Sequence, residues 1–190
     1  PRPDTETLVD WALELPDLPA DARVVDLGTG SGAIALAIKA QRSQWQVSAI
    51  DASEAALQVA RANAQRLGLT VDFHQGHWLQ TLPATVRFDL IVSNPPYLRA
   101  SDHHLAALRH EPREALVAGD DGLRDLRDII ASAAAYLRPG GWLLLEHGYD
   151  QATDVRTLLQ AAGYAQVQSR KDLAGIERCT GGCHTASAAL

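Results

Sequence analysis

Two rhythms of apolar and polar positions alternate along this chain. Short apolar runs rich in β-branched residues are separated by stretches whose apolar positions recur every three or four residues. Arg23-Val24-Val25-Asp26-Leu27 reads as a first strand, and Ala33 through Ala40 as a helix of small and apolar residues suited to close packing on a sheet. Trp45 to Asp51 reads as a second strand, Val71 to His74 as a short third, and Phe88-Asp89-Leu90-Ile91-Val92 as a buried fourth. Between the second and third, Ser53 is placed to cap a helix running to Leu67, with Gly68 as its stop. Leu123 to Leu137 predicts a helix closed by Arg138-Pro139-Gly140-Gly141, and Trp142 to His147 a fifth strand. Asp150 predicts the cap of a helix to Ala162, ended by Gly163. Tyr164 to Arg170 is a sixth strand, and a weak seventh is expected near Ile176 to Thr180. Residues 181–190, rich in Gly, Ala, Ser and Thr, are expected to form a flexible tail.

The chain opens on Pro1-Arg2-Pro3-Asp4-Thr5-Glu6, two prolines followed by N-cap residues. An amphipathic helix should follow, with Leu8, Trp11, Ala12 and Leu15 on one face, ended by Pro16 and Pro19. Strand and helix thus alternate through residue 163, which predicts an α/β fold: a doubly wound, mostly parallel sheet with helices on both faces. The rhythm fails from Leu98 to Asp121, a stretch that holds Asp102-His103-His104 and Glu111-Pro112-Arg113-Glu114. Loops of this length in compact domains are usually functional or mobile. No repeat, low-complexity block or linker divides the chain, so one domain is expected over residues 1–180.

Composition narrows the classes. Of 190 residues, 46% are apolar and 21% charged, the profile of a soluble globular domain. No apolar run approaches the ~18 residues of a membrane span. The net charge of −6 argues against broad, charge-driven binding of nucleic acid, and the fifteen Arg and two Lys form no block. The two cysteines, Cys179 and Cys183, do not make a disulfide scaffold, which fits a reducing, cytoplasmic setting. With His184 they lack a second ligand pair at metal-binding spacing, so no metal is expected. The chain starts at Pro1, holds no methionine and shows no signal-peptide pattern, so a fragment of a longer protein is expected.

Two stretches carry chemistry. The first is the turn after the first strand, Gly28-Thr29-Gly30-Ser31-Gly32-Ala33. It fits a loose dinucleotide fingerprint and equally fits Asp-x-Gly-x-Gly-x-Gly with Asp26 leading. Either way the glycines let a ligand approach the backbone closely. Asp51, at the end of the second strand, is placed to accept hydrogen bonds from both hydroxyls of a ribose. Asp26 adds an acid that suits the ammonium and sulfonium of S-adenosylmethionine better than a pyrophosphate. Trp78 follows the third strand, and it serves as well in a core as beside an adenine.

The second stretch is Ser93-Asn94-Pro95-Pro96-Tyr97, at the end of the fourth strand. Neither strand nor helix continues through two prolines, and Asn94 before a proline is held extended. The result is a stiff corner bearing a carboxamide, two free carbonyls and an aromatic ring. A planar nitrogen, as in an amide or an adenine amine, is a weak nucleophile because its lone pair is delocalised. The Asn94 oxygen and the Pro95 carbonyl can accept both of its N–H bonds, and Tyr97 can stack on the flat group. Positioning then supplies most of the rate, without a strong general base.

Taken together, Asp26 to Gly32, Asp51 and Asn94 to Tyr97 resemble a Rossmann-like class I methyltransferase, whose sheet has seven strands. The finer resemblance is to the peptide chain release factor glutamine N5-methyltransferases, through Pro1 to Glu6, Asn94 to Tyr97, Glu111 to Leu116 and Leu144 to Gly148. That resemblance implies methyl transfer from S-adenosylmethionine to the glutamine of the Gly-Gly-Gln loop in class I release factors, leaving S-adenosylhomocysteine. It implies cofactor contacts from Asp26, Gly28, Thr29, Gly30, Ser31, Gly32, Asp51, Trp78 and Asn94. Asn94, Pro95, Pro96 and Tyr97 would hold the glutamine, with Arg2 as a substrate-loop contact. A monomer that does not bind nucleic acid or membrane is expected, without the helical substrate-docking domain that usually precedes this one. His77 before Trp78, and the residues from Cys179 onward, depart from the family pattern. Rival readings are an adenine amino-methyltransferase acting on DNA or RNA, a ribosomal-protein glutamine methyltransferase, and a cofactor-binding scaffold.

Overall fold

The computed structural model describes residues 3–98 and 118–185. Among the described residues, five α-helices and seven strands follow one another as α1 (Pro3–Glu14), β1 (Arg23–Leu27), α2 (Ala33–Gln41), β2 (Gln46–Asp51), α3 (Glu54–Leu67), β3 (Asp72–Gln75), β4 (Phe88–Ser93), α4 (Arg124–Ala133), β5 (Leu137–Glu146), α5 (Ala152–Ala161), β6 (Ala165–Lys171) and β7 (Glu177–Cys183). The strands form one sheet in the order β3-β2-β1-β4-β5-β7-β6. All neighbours are parallel except β7, which runs antiparallel to both β5 and β6. The mostly parallel, doubly wound arrangement read from the alternation is the one observed.

The pleat divides the core into two layers. Along β4, Leu90 and Val92 face α1 and α2, joining Val24 of β1 and Trp142 and Leu144 of β5. Ile91 faces the other way, with Val25, Leu143 and Leu145, toward α4 and α5. Because side chains on a strand alternate, a strand buried on both faces is a continuous apolar run, as in β4, where every residue is buried. The amphipathic face expected for α1 is the buried one: Leu8, Trp11 and Ala12 are wholly covered. The caps of α3 also lie where expected. Ser53 accepts a hydrogen bond from the Ala56 N–H, and Gly68 ends the helix in a left-handed conformation at φ 66°. Among the described residues no helix is long and apolar enough to cross a membrane.

Four expectations need correction. The helix expected to Leu137 is α only to Ala133, followed by a 3-10 turn over Ala134–Tyr136. Leu137 already pairs with Phe88, so β5 begins there. Pro139-Gly140-Gly141, expected as a helix stop, stays within the strand. Gly140 N donates to His184 O and His184 N to Gly141 O, each at 2.7 Å, so the end of β7 holds this stretch in the sheet. Gln151, not Asp150, occupies the N-cap position of α5.

The fourth correction concerns the tail. Gly181, Gly182 and Cys183 are not flexible; they are the buried end of β7, between β5 and β6. A Cβ on Gly181 would lie 2.5 Å from Leu144 Cδ2 and 2.7 Å from the Leu143 carbonyl oxygen. The low strand propensity of Gly-Gly is overridden here because only hydrogen fits between the neighbours.

Candidate active site

β1 and β4 lie side by side, with Leu27 paired to Ser93 at their ends. Ser93 Oγ donates to the Leu27 carbonyl at 2.7 Å, which ties the two ends together. The loops that follow, Gly28–Gly32 and Asn94–Tyr97, therefore leave the sheet as neighbours. β2 and β3 lie on one side of this point, β4 and β5 on the other. In open α/β sheets that is the crevice where ligands bind.

The glycine turn is held by its neighbours and open at its middle. Gly28 N and Thr29 N both donate to the Ile50 carbonyl, at 2.8 and 3.0 Å. Gly30 has φ 55°, a left-handed conformation costly for other residues, and a Cβ there would meet nothing within 4 Å. Its N–H donates to Asp51 Oδ2 at 2.8 Å, while Asp51 Oδ1 accepts from Ser53 N at 2.9 Å. Each carboxylate oxygen keeps a second lone-pair direction, so two further donors can be accepted. Ser31 is exposed at the rim.

Asp26 and Thr29 lie beneath the turn. Asp26 is wholly buried, and its Oδ2 accepts from Thr29 Oγ1 at 2.6 Å and from Ala35 N at 3.2 Å. Burial pushes its carboxyl up to about 6, against the opposing pull of those two hydrogen bonds. Its Oδ1 is buried with no partner among the described residues. Placed here, Asp26 braces the turn from the sheet side.

Trp78 stands against the turn from the loop that follows β3. A Cβ on Gly28 would lie 3.0 Å from its ring. The ring is edge-on to His77, with centroids 5.1 Å apart, and the backbone of Trp78 is left-handed at φ 50°. Its Nε1–H is buried without a partner among the described residues. An orphaned indole donor is unusual in a folded core. Together with the open face of Gly30 and the spare acceptors of Asp51, it makes this crevice fit an adenosine-bearing cofactor.

At the corner, Pro95 is buried and Asn94, Pro96 and Tyr97 are half-buried. Asn94 Nδ2 approaches Thr5 Oγ1 at 3.5 Å, the outer limit of a hydrogen bond. The hydroxyl can serve either end of the amide, so the contact places the carboxamide beside α1 without deciding which end faces Thr5. Thr5 is buried on α1, which links the opening segment of the chain to the corner. Arg2, Asp102-His103-His104 and Glu111 to Leu116 lie outside the described residues. The other expected site residues come together at one sheet edge.

Residues 6–170 match the methyltransferase small domain family. The release factor glutamine methyltransferase of Coxiella burnetii is 52% identical over 94% of this chain. The one from Bordetella pertussis is 54% identical over 96% of the chain and 68% of the relative. A solved release factor-specific protein-(glutamine-N5) methyltransferase from Alicyclobacillus acidocaldarius superposes with a TM-score of 0.62, at 30% identity, covering 98% of this chain and 94% of that one. The chain belongs to the release factor glutamine methyltransferase family. It spans 64% of the Coxiella relative's length. A methyltransferase from Pyrococcus furiosus, at 17% identity and a TM-score of 0.72, shares the fold.

Two residues of this family member's crevice edge escaped the sequence reading. His147, in the Leu144–Gly148 segment, is buried at the end of β5. Its Nδ1 lies 2.8 Å from the Gly148 carbonyl and its Nε2 2.7 Å from Thr180 Oγ1. A carbonyl only accepts, so Nδ1 carries the proton and Nε2 accepts from Thr180. Burial holds its pKa below the ordinary histidine value, which keeps the ring neutral. Gln151 is the second, at the start of α5 and 2% exposed. Neither has a local signature, because the partners that tie them to the rest of the fold, Thr180 for His147 and Tyr97 and Gly122 for Gln151, are distant in sequence.

Proposed function

We propose that this chain transfers a methyl group from S-adenosylmethionine to the side-chain amide nitrogen of the glutamine in the Gly-Gly-Gln motif of class I peptide chain release factors, modulating translation termination. The observation that carries the reading is the place of the Asn94 carboxamide, half-buried just past the end of β4 and one strand away from the glycine turn. Asn94 Oδ1 and the Pro95 carbonyl accept the two N–H bonds of the substrate amide. Pro95 and Pro96 keep those acceptors from moving, since neither residue can rotate about φ. Tyr97 covers the flat face of the amide and excludes water. Gly28, Gly30 and Ser31, with Asp51, Asn94 and Trp78, hold the cofactor, while Asp26 and Thr29 support the turn from below. When bound, S-adenosylmethionine would supply an electrophilic methyl group on its sulfonium: the S–CH3 bond breaks as the N–CH3 bond forms, S-adenosylhomocysteine leaves, and one of the two amide protons is lost to solvent. Rate then comes from orientation, which is worth several kcal/mol when reacting atoms are held in near-attack geometry, on the order of 7 kcal/mol or more. Arg2 is assigned to the substrate loop on its place in the opening segment.

The test is direct. The chain with labelled S-adenosylmethionine should methylate a class I release factor, and replacing the Gly-Gly-Gln glutamine should abolish the label. Labelling of DNA or RNA instead would overturn the substrate assignment. Asn94→Ala should lower turnover at least ~100-fold, the loss typical of removing a preorganised transition-state contact, while most cofactor binding remains, since the glycine turn and Asp51 are untouched. Turnover surviving in this variant would exclude the role given to the carboxamide.

A further inference from the structure

Three loops end at the same edge and meet at one side chain. Gln151 Nε2 donates to the Tyr97 carbonyl at 3.1 Å and to the Gly122 carbonyl at 3.2 Å. Its Oε1 accepts from Gly148 N at 2.8 Å. Two carbonyls and one N–H leave no ambiguity about which end of the amide is which. The backbone of Gln151 is itself fixed. Its N–H donates to the Gly148 carbonyl at 3.1 Å, and its carbonyl accepts the first α5 bond, from Val155 N, at 3.0 Å. The junction is also tight: a Cβ on Gly122 would fall 2.4 Å from the Tyr97 carbonyl oxygen and 2.8 Å from Gln151 Nε2. Alongside it, Ala118 N donates to the Leu98 carbonyl at 3.0 Å, so the chain returns to the corner immediately beside Gln151.

We infer that Gln151 is a positioning residue for methyl transfer, which fixes the Asn94–Tyr97 corner by clamping the Tyr97 carbonyl to the start of α5 and to Gly122. The corner is tied at its other end through Ser93 to β1. With Gln151 removed, the Tyr97 carbonyl loses its tie to the start of α5, and the Pro95 carbonyl and the Tyr97 ring are held less firmly over the crevice. The glycine turn and Asp51 rest on β1, β2 and Ile50 and do not depend on this clamp. The inference rests on the proposed function for its kinetic consequence, but not for its structural one.

The experiment uses the whole chain, with Gln151→Leu and Gln151→Glu. In Gln151→Leu, turnover of the release factor should fall at least tenfold, with the Kd for S-adenosylmethionine within threefold of the unaltered chain. Glutamate keeps the acceptor for Gly148 N, but ionised it turns oxygen toward two carbonyls; protonated, it regains one donor. The activity of Gln151→Glu relative to the unaltered chain should therefore rise at least threefold from pH 8.5 to pH 6, and that of Gln151→Leu should stay flat. A residue that merely fills space would not produce this difference. Hydrogen exchange without substrate reads the clamp separately: residues 94–98 and 118–123 should exchange at least tenfold faster in Gln151→Leu, with residues 23–33 unchanged. Unchanged exchange, turnover within threefold of normal, or equal loss of turnover and cofactor affinity would each overturn the inference. If exchange responds and the unaltered chain methylates no release factor, the proposed function falls and the clamp stands.

Discussion

Asp51→Asn isolates the contribution of one carboxylate to cofactor binding. Each of its oxygens already serves a backbone donor, Gly30 N at 2.8 Å and Ser53 N at 2.9 Å. Asparagine retains one oxygen. Its NH2 must then face one of the two N–H groups, and the exposed Ser53 N–H, which water can satisfy, is the less costly choice. The turn therefore keeps its bond to Gly30, weakened by loss of charge. What is lost is one of the two acceptors available to the ribose hydroxyls, and the charge on the other. Hydrogen bonds to charged groups contribute about 1.5–3 kcal/mol, so the Kd for S-adenosylmethionine should rise about 10- to 150-fold. Calorimetric titration measures this directly, and a thermal melt of the ligand-free protein checks that the fold is intact. A Kd within threefold of the unaltered chain would refute the placement of the ribose on Asp51.

Two further outcomes follow from buried groups. The Asp26 carboxyl is raised from 3.8 to about 6, chiefly by burial. The unfolded chain releases this proton first as pH rises, while the folded chain still holds it. Stability is therefore highest below pH 4 for this group and is lost through the interval up to about 6, by about 3 kcal/mol. Asp26→Asn should remove that slope, seen as a smaller fall in unfolding free energy between pH 4.5 and pH 7 in urea; parallel curves for the two proteins would contradict it. Gly181→Ala places a methyl group 2.7 Å from the Leu143 carbonyl oxygen and 3.1 Å from Trp11 Cη2. Backbone cannot step aside as a side chain can, so a loss of about 2–3 kcal/mol is expected. That corresponds to about 4–12 °C in Tm for a domain of this size, and an unchanged melt would show that β7 is looser than its packing implies.

What was legible in the sequence was whatever short-range chemistry decides. β1 was read to the residue, because an apolar run ending in glycines has one local solution. The ends of α3 were read from Ser53 and Gly68, since capping is a matter of one or two residues. The candidate site was legible through glycines, prolines and acids that have positional meaning on their own. The rest required the third dimension. Gly181 and Gly182 look like tail until Leu144 and Tyr164 are seen to occupy the space where their side chains would be. Pro139 to Gly141 look like a stop until His184 pairs across from them. Gln151 is an ordinary polar residue next to Asp150, the expected cap, and its partners at Tyr97 and Gly122 are separated from it by 54 and 29 positions. Asp26 was legible as an acid, but not as one lying beneath the turn.

The place of β7 sets a time order on the fold. The strand enters between β5 and β6, which both precede it in the chain. At its far end Gly181 packs against Trp11, a residue of the first described helix. A chain synthesised from its N-terminus thus makes α1 long before the strand that covers it, and the edge of β5 waits open over the same interval. Contacts of such wide sequence separation form late, because loop-closure entropy must be overcome first. Nascent chains halted before Cys179 should bind a fluorescent apolar dye and resist no protease, whereas chains that have cleared Cys183 should do the reverse. The sheet described here thereby registers whether translation has passed Cys183.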